Sequence, residues 1–251
     1  TAEPAFADGE LPDPIAQFDF DGPPTDGRFV DGDAVASVHG TAALVAGQDG
    51  QGTAASLSKD FWLDVTADDG AHLLSGHDEL TISYDSRPAE SGNTGWSVFA
   101  AASDAAPSYG NERYVGVLDT ASTLTVERYH NTGGRDGAGN LSASDLSPGW
   151  RHVDLVLDGS GAKLYVDQQL VDVTTQGPLL SEVLGESGIL QLGKANWGGG
   201  EYFTGLLDNL TIYPEALSSV QLGLPAPESV TITGADDAVE LWQNERIELG
   251  T

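Results

Sequence analysis

The sequence predicts an all-β chain in which two antiparallel sheets lie face to face. Three observations carry this. Apolar and polar side chains alternate cleanly through residues 148–173, turn-forming residues recur along the whole chain, and helical patterning is confined to one short stretch near the end. In the run after Pro148, Val153, Leu155 and Leu157 alternate with His152, Asp154 and Asp158. Leu164 and Val166 then alternate with Lys163, Tyr165 and Asp167. A period of two with one apolar face marks a half-buried strand. Asp158-Gly159-Ser160-Gly161 separates the runs, and glycine supplies the positive φ of a tight reversal. A second reversal at Asp167-Gln168 leads into Leu170, Val171 and Val173. Three such strands form a meander whose apolar face needs a second sheet to cover it. Trp150, just ahead of the meander, is expected to anchor the core.

The remaining elements follow in order. Residues 1–14 are rich in Ala, Pro and acids without periodicity and read as a linker or arm. Ile15–Phe20 is a first strand, ended by Asp21-Gly22-Pro23-Pro24. The region to Gly52 carries only short apolar pieces, such as Ala42–Val45. Phe61–Val65 and Leu80–Asp85 are strands, with Leu80, Ile82 and Tyr84 on one face. Gly95–Ala102 is another, with Trp96, Val98 and Ala100 together. Arg113–Leu118 and Thr123–His130 pair across residues 119–122, and the polar loop 131–140 follows. Beyond the meander, Gly188–Gly193 and Phe203–Tyr213 flank a Gly-rich loop. Pro214–Leu222 reads as a short helix, with Pro suited to its first turn and Gly223 to its end. Residues 224–251 read as a linker, signalled by Pro225-Ala226-Pro227, and then from Ser229 as alternating strands of a following module or a strand packing back on the sandwich.

Composition narrows the function. With 39 acidic and 10 basic residues the net charge is −29, which excludes nucleic acid as a partner, since phosphate binding needs a basic surface. The acids are scattered and read as a solvated surface, compatible with a saline or extracellular habitat. No Cys is present, so disulfides and thiolate metal sites are excluded. No Met occurs even at position 1, as expected of a fragment or processed product. No run is long and apolar enough for membrane insertion as a helix, and no charged-then-apolar leader is seen. The 251 residues suit one large all-β domain with extra pieces.

The stretch GWRHVDLVLDGSGAKLYVDQQLV, together with LQLGKANW and GGGEYFTGLLDNLTIYPEALSSVQL, resembles the laminin G-like, concanavalin A-like lectin/glucanase superfamily. FDFDG and LTISYDSRP fit the opening of such domains. The resemblance covers roughly residues 15–223 and departs at Gln168, where such domains usually carry Gly after Asp. It implies a two-sheet antiparallel jelly-roll sandwich with one short C-terminal helix. It also implies a structural calcium near the chain ends, held by Asp19 or Asp21 from the first strand and Asp208 from the late one.

No alternating carboxylates of the kind glycosidases use, and no Gly-x-Ser-x-Gly elbow, are found; a Ser–His–acid arrangement stays open. Asp64 and Asp154 read as surface positions. Sugar recognition combines an aromatic platform with planar polar groups. Two stretches offer this mix: Asn111, Arg113 and Tyr114 with Arg128, Tyr129, His130 and Asn131 on the partner strand, and Asn196 and Trp197 beside Tyr202. Arg128 and His130 share a face by the strand period, and Arg113 is expected to join them. The competing reading has the tyrosines in the core and the arginines paired with Glu112 and Glu127.

The leading expectation is a non-catalytic carbohydrate-binding module of a secreted, multidomain bacterial glycoside hydrolase. Its partners would be a glycan and neighbouring domains of the same chain, and its location extracellular or at the cell surface. A structural or protein-interaction sandwich packed against a neighbouring domain is the alternative. A hydrolase is a weaker one.

Overall fold

The computed structural model describes residues 9–90, 97–102, 113–130, 139–184, 188–195 and 201–224. In chain order its strands are β1 Ala16–Phe18, β2 Arg28–Asp31, β3 Ala34–Gly40, β4 Leu44–Ala46, β5 Thr53–Leu57, β6 Phe61–Ala67, β7 Glu79–Pro88 and β8 Ser97–Ala102. They continue as β9 Arg113–Asp119, β10 Leu124–His130, β11 Leu141–Ala143, β12 Arg151–Asp158, β13 Gly161–Val166, β14 Gln169–Thr174, β15 Ile189–Leu192 and β16 Gly205–Tyr213. Sheet I runs β14-β13-β12-β7-β16-β5-β4, with β1 also pairing β16. Sheet II runs β11-β10-β9-β8-β15-β6-β3-β2. Every pairing is antiparallel, and the two sheets form the expected sandwich. No helix among the described residues is long and apolar enough to cross a membrane.

The alternation read in the sequence sets the core. Leu80, Ile82 and Tyr84 of β7 and Val153, Leu155 and Leu157 of β12 face Val115 and Val117 of β9 and Leu63 and Val65 of β6. Each fully buried Leu, Ile or Val side chain stabilises the fold by roughly 1.5–3 kcal/mol relative to exposure. Two arginines enter this interior. Arg151 Nη1 meets Asp119 Oδ1 at 3.1 Å, both side chains almost fully buried, and so ties sheet I to sheet II. Ser86 Oγ donates to Asp119 Oδ2 at 2.5 Å, and Arg151 Nη2 to the Ala121 carbonyl at 3.0 Å. Burial still outweighs these partners and pushes the Asp119 carboxyl up to about 6.

Several expectations are corrected. Trp150 is only half-buried, because Arg151 takes the inward position and leaves its neighbour the outward one. In β8 a bulge between Ser97 and Phe99 breaks the alternation: Val98 and Phe99 both enter the core, and Ala100 turns outward while Ala101 turns in. Trp96 lies outside the described residues. The C-terminal helix is absent from 214–222, which form bends and turns; among the described residues the one α-helix, α1, is Leu180–Leu184. The reason is Thr81: its hydroxyl donates to the Glu215 carbonyl at 2.8 Å and accepts from Leu217 N at 2.9 Å, taking backbone groups that a helix would need. The Asp167-Gln168 reversal places both residues in the left-handed region, φ 49° and 65°, as a type I′ turn requires. The expected arm and tail, 1–14 and 224–251, lie largely outside the described residues.

Candidate functional site

In β6, Phe61, Leu63 and Val65 point inward, so Trp62 and Asp64 must point outward from sheet II. The register places Ser37, Asp64, Gln191, Ala100, Gly116 and Glu127 in one row across six strands on that outer face. At one end, Asp64 Oδ1 accepts from Gln191 Nε2 and Asp64 Oδ2 from His39 Nε2, each at 2.7 Å. The His39 ring stacks on Trp62 with centroids 3.7 Å apart and planes 1° apart. Lys194, just beyond β15, holds Nζ 4.7 Å from the Trp62 ring centroid. Tyr202, expected from the sequence, bridges to Lys194 and so lies beside this group. Its companions Asn196 and Trp197 lie outside the described residues. Sequence reasoning missed Trp62, Asp64, Gln191 and His39 as site residues. The alternation of β6 was the available signal for the first two.

At the other end of the same sheet, the first expected cluster is dispersed. Tyr114 and Tyr129 sit directly opposite each other, 5.1 Å between centroids, and are buried with Ala102 on the outer side of β8–β10 rather than in the main core. Tyr114 donates its hydroxyl to Glu127. Its ring lies over Gly116, whose missing Cβ would be 3.3 Å from it. Arg128 leaves the candidate set: it shares the inward side of β10 with Leu124 and Val126 and is 1% exposed. Its guanidinium donates to the carbonyls of Gly159 at 2.9 Å, Gly161 at 3.0 Å, Ser160 at 3.3 Å, and Pro178. It therefore pairs with no Glu127 carboxylate, and turns into the sandwich instead. His130 and Arg113 stand opposite each other on that same inward side, both half-buried. Asn111 and Asn131 lie outside the described residues.

The outer face of sheet I carries a Ser–His–acid arrangement. Ser83 Oγ is 3.3 Å from His152 Nε2, and His152 Nδ1 is 2.8 Å from Asp85 Oδ1. A second carboxylate, Asp154 Oδ1, also lies 3.3 Å from Nε2. The hydrogen bonds to Asp154 and Asp85 outweigh burial and hold the imidazole proton up to about 10. At neutral pH the ring is an imidazolium, so it has no lone pair with which to take a proton from Ser83.

The third group is acidic. β1 pairs β16 through Phe18↔Leu210, which brings the first-strand acids toward Asp208. Burial, and then the charges of Asp85, Asp21 and Asp19, push the Asp208 carboxyl up to about 6. Asp21 Oδ1 accepts from Thr53 N at 2.8 Å, and Asp19 Oδ1 from Asp21 N at 3.0 Å. A Cβ on Gly47 would come within 2.3 Å of the Gln51 carbonyl oxygen and 3.0 Å of Asp208 Oδ2, and one on Gly52 within 1.9 Å of Asp21 Oδ1. Among the described residues no three His, Asp or Glu side chains are grouped closely enough to hold a metal by themselves, so carbonyl oxygens would have to complete any such set. Asp19 also lines a pocket of about 470 Å³ between β1 and β2, and β2 lies two strands from β6 in sheet II.

The family model described as the concanavalin A-like lectin/glucanases superfamily matches residues 64–222. No curated protein matches the chain. Among solved structures, the chain resembles domain 4 of AbnA, a GH43 extracellular arabinanase from Geobacillus stearothermophilus, in complex with arabinotriose. Identity is 19%, over 85% of this chain and 98% of that one, with a TM-score of 0.58. It also resembles the CBM40 of the Ruminococcus gnavus IT-sialidase bound to α2,3 sialyllactose, at 14% identity over 84% and 97% of the two chains and a TM-score of 0.53. These likenesses are in the fold.

Proposed function

The chain belongs to the concanavalin A-like lectin/glucanases superfamily, and from that premise we propose that it is a non-catalytic carbohydrate-binding module of a secreted, multidomain bacterial glycoside hydrolase. One observation carries the reading: Trp62 stands on the outer face of sheet II with His39 stacked on it and the Asp64–Gln191 pair beside it. An indole supplies the apolar surface that the C–H face of a sugar ring packs on, and oriented carboxylate and amide groups take its hydroxyls. The fold neighbours that hold arabinotriose and sialyllactose support the same class of ligand.

The carboxylate layout supports a binding role over a catalytic one. Within the described strands, the carboxylates on the outer face of sheet II are Asp64 and Glu127. They are four strand spacings apart, roughly 19 Å, against the about 5–9.5 Å that glycoside hydrolysis uses. Few hydroxyl contacts offset the cost of immobilising a sugar, so the affinity falls at a Kd of about 0.1–1 mM. Tethering to a catalytic domain would raise that domain's effective concentration at the polymer.

A structural calcium belongs to the proposal. Asp19, Asp21, Asp208 and the Gln51 carbonyl offer the hard oxygen donors that Ca²⁺ prefers, and a cation would relieve the charge repulsion on Asp208. Calorimetric titration against a glycan panel, with calcium present, tests the function. Absence of heat with every glycan removes it.

A further inference from the structure

Resting on the carbohydrate reading and going beyond it, we propose that the Trp62 site takes neutral glycans that present two neighbouring hydroxyl donors to Asp64, and rejects glycans that bring a carboxylate to the same place. The argument is a count of donors and acceptors. An ionised carboxylate only accepts, at about four lone-pair positions. Asp64 spends one on each oxygen, toward Gln191 and His39, and its side chain remains 36% exposed. Two acceptor positions are therefore left, fixed in direction by those two bonds. Behind them the Gln191 side chain, 3% exposed, gives an amide hydrogen to Asp64 and leaves its own oxygen without a partner among the described residues. A buried acceptor without a donor is costly, and a water relayed to a sugar hydroxyl meets that need. The open positions on the Asp64 carboxylate and the Gln191 carbonyl oxygen thus ask for donors.

The side chains that could reverse this preference are already engaged. Arg128, on the same sheet, is buried against four carbonyl oxygens, and Lys194 is held over the indole. His39 is committed to Asp64. A net charge of −29 adds long-range repulsion of acidic polymers.

Lactose and α2,3-sialyllactose form a matched pair, to be titrated beside neutral pentose and hexose oligosaccharides and trigalacturonate, at low salt and at about 0.15 M salt with calcium. The expected result is binding confined to neutral ligands, nearly independent of salt, and weakened about tenfold or more in Asp64→Asn, which replaces one acceptor oxygen by a donor. Preference for sialyllactose or trigalacturonate overturns this inference and leaves the carbohydrate reading standing. Unchanged affinity in Asp64→Asn with an unchanged melting temperature overturns the role of Asp64. No binding in either series overturns the carbohydrate reading and this inference together.

Discussion

Arg128 and Gly161 belong to opposite sheets, and the guanidinium of the first donates to the carbonyl of the second at 3.0 Å. With Gly159, Ser160 and Pro178 also bound, one side chain of sheet II holds the β12–β13 turn of sheet I. Gly139 and Gly177 lack Cβ atoms where the arginine passes: a Cβ on Gly139 would sit 3.0 Å from Arg128 Cβ, and one on Gly177 3.1 Å from Nη1. Arg128→Met keeps the unbranched inner part of the side chain and leaves four carbonyls without their donor. Its expected cost is about 3 kcal/mol or more, read as a lowered urea midpoint. A loss below about 0.5 kcal/mol would show that water replaces the guanidinium.

The Asp167-Gln168 turn suggests a stabilising change. Gln168 sits at φ 65°, where a Cβ costs roughly 1–2 kcal/mol and glycine costs none. Gln168→Gly should raise stability by about 1 kcal/mol after its greater unfolded-state entropy is subtracted. Chemical denaturation measures it.

Stability should fall as pH rises through about 6. Asp119 and Asp208 are both raised to about 6 in the folded chain, so the folded state binds their protons more tightly than the unfolded state does. Their contribution is greatest below the ordinary carboxylate range and is lost on deprotonation. A chelator-treated sample should therefore unfold at higher urea at pH 5 than at pH 7.5, and Asp208→Asn should shrink that difference. His152 acts at the other end: raised to about 10, its contribution is full below about 6.5 and is lost as pH climbs through 10. An equal pH 5 to 7.5 difference in Asp208→Asn would contradict the assignment.

Calcium should add stability that Gly47→Ala abolishes. At calcium about 100-fold above its Kd the gain is about 2.7 kcal/mol. The new methyl group would enter the space between the Gln51 carbonyl and Asp208 Oδ2. The check is the melting temperature of both proteins with calcium and with chelator.

Trp62→Ala should lower glycan affinity by about tenfold, since an aromatic contact contributes up to about 1.5 kcal/mol beyond its buried area. The fold should hold, because Trp62 is on the outside of sheet II. Titration calorimetry reads the first and circular dichroism the second.

The meander and β7 were legible because one-faced strands write their period into the sequence. Val153, Leu155 and Leu157 are all inside. β2, β4 and β11 were not seen as strands, because three or four residues between turns hold too few alternations to count; β3 and β5, of seven and five residues, were missed because their buried side chains are mostly alanine. The arginines were misread for a related reason. Periodicity assigns Arg128 a face but not its chemistry, and only the arrival of the β12–β13 turn from the other sheet makes that face habitable for a guanidinium. The Trp62 group draws on β3, β6 and β15, segments separated by 23 to 152 residues. Nothing local couples His39, Trp62 and Gln191.

Ala16 and Ile212 lie side by side, because the opening strand is zipped against the closing one. The polypeptide therefore departs from the corner at which it arrives, and that corner is in sheet I, while the Trp62 surface is on the far layer. Spliced between other domains, a sandwich joined at that one corner would turn the Trp62 face, the proposed sugar surface, away from the joint.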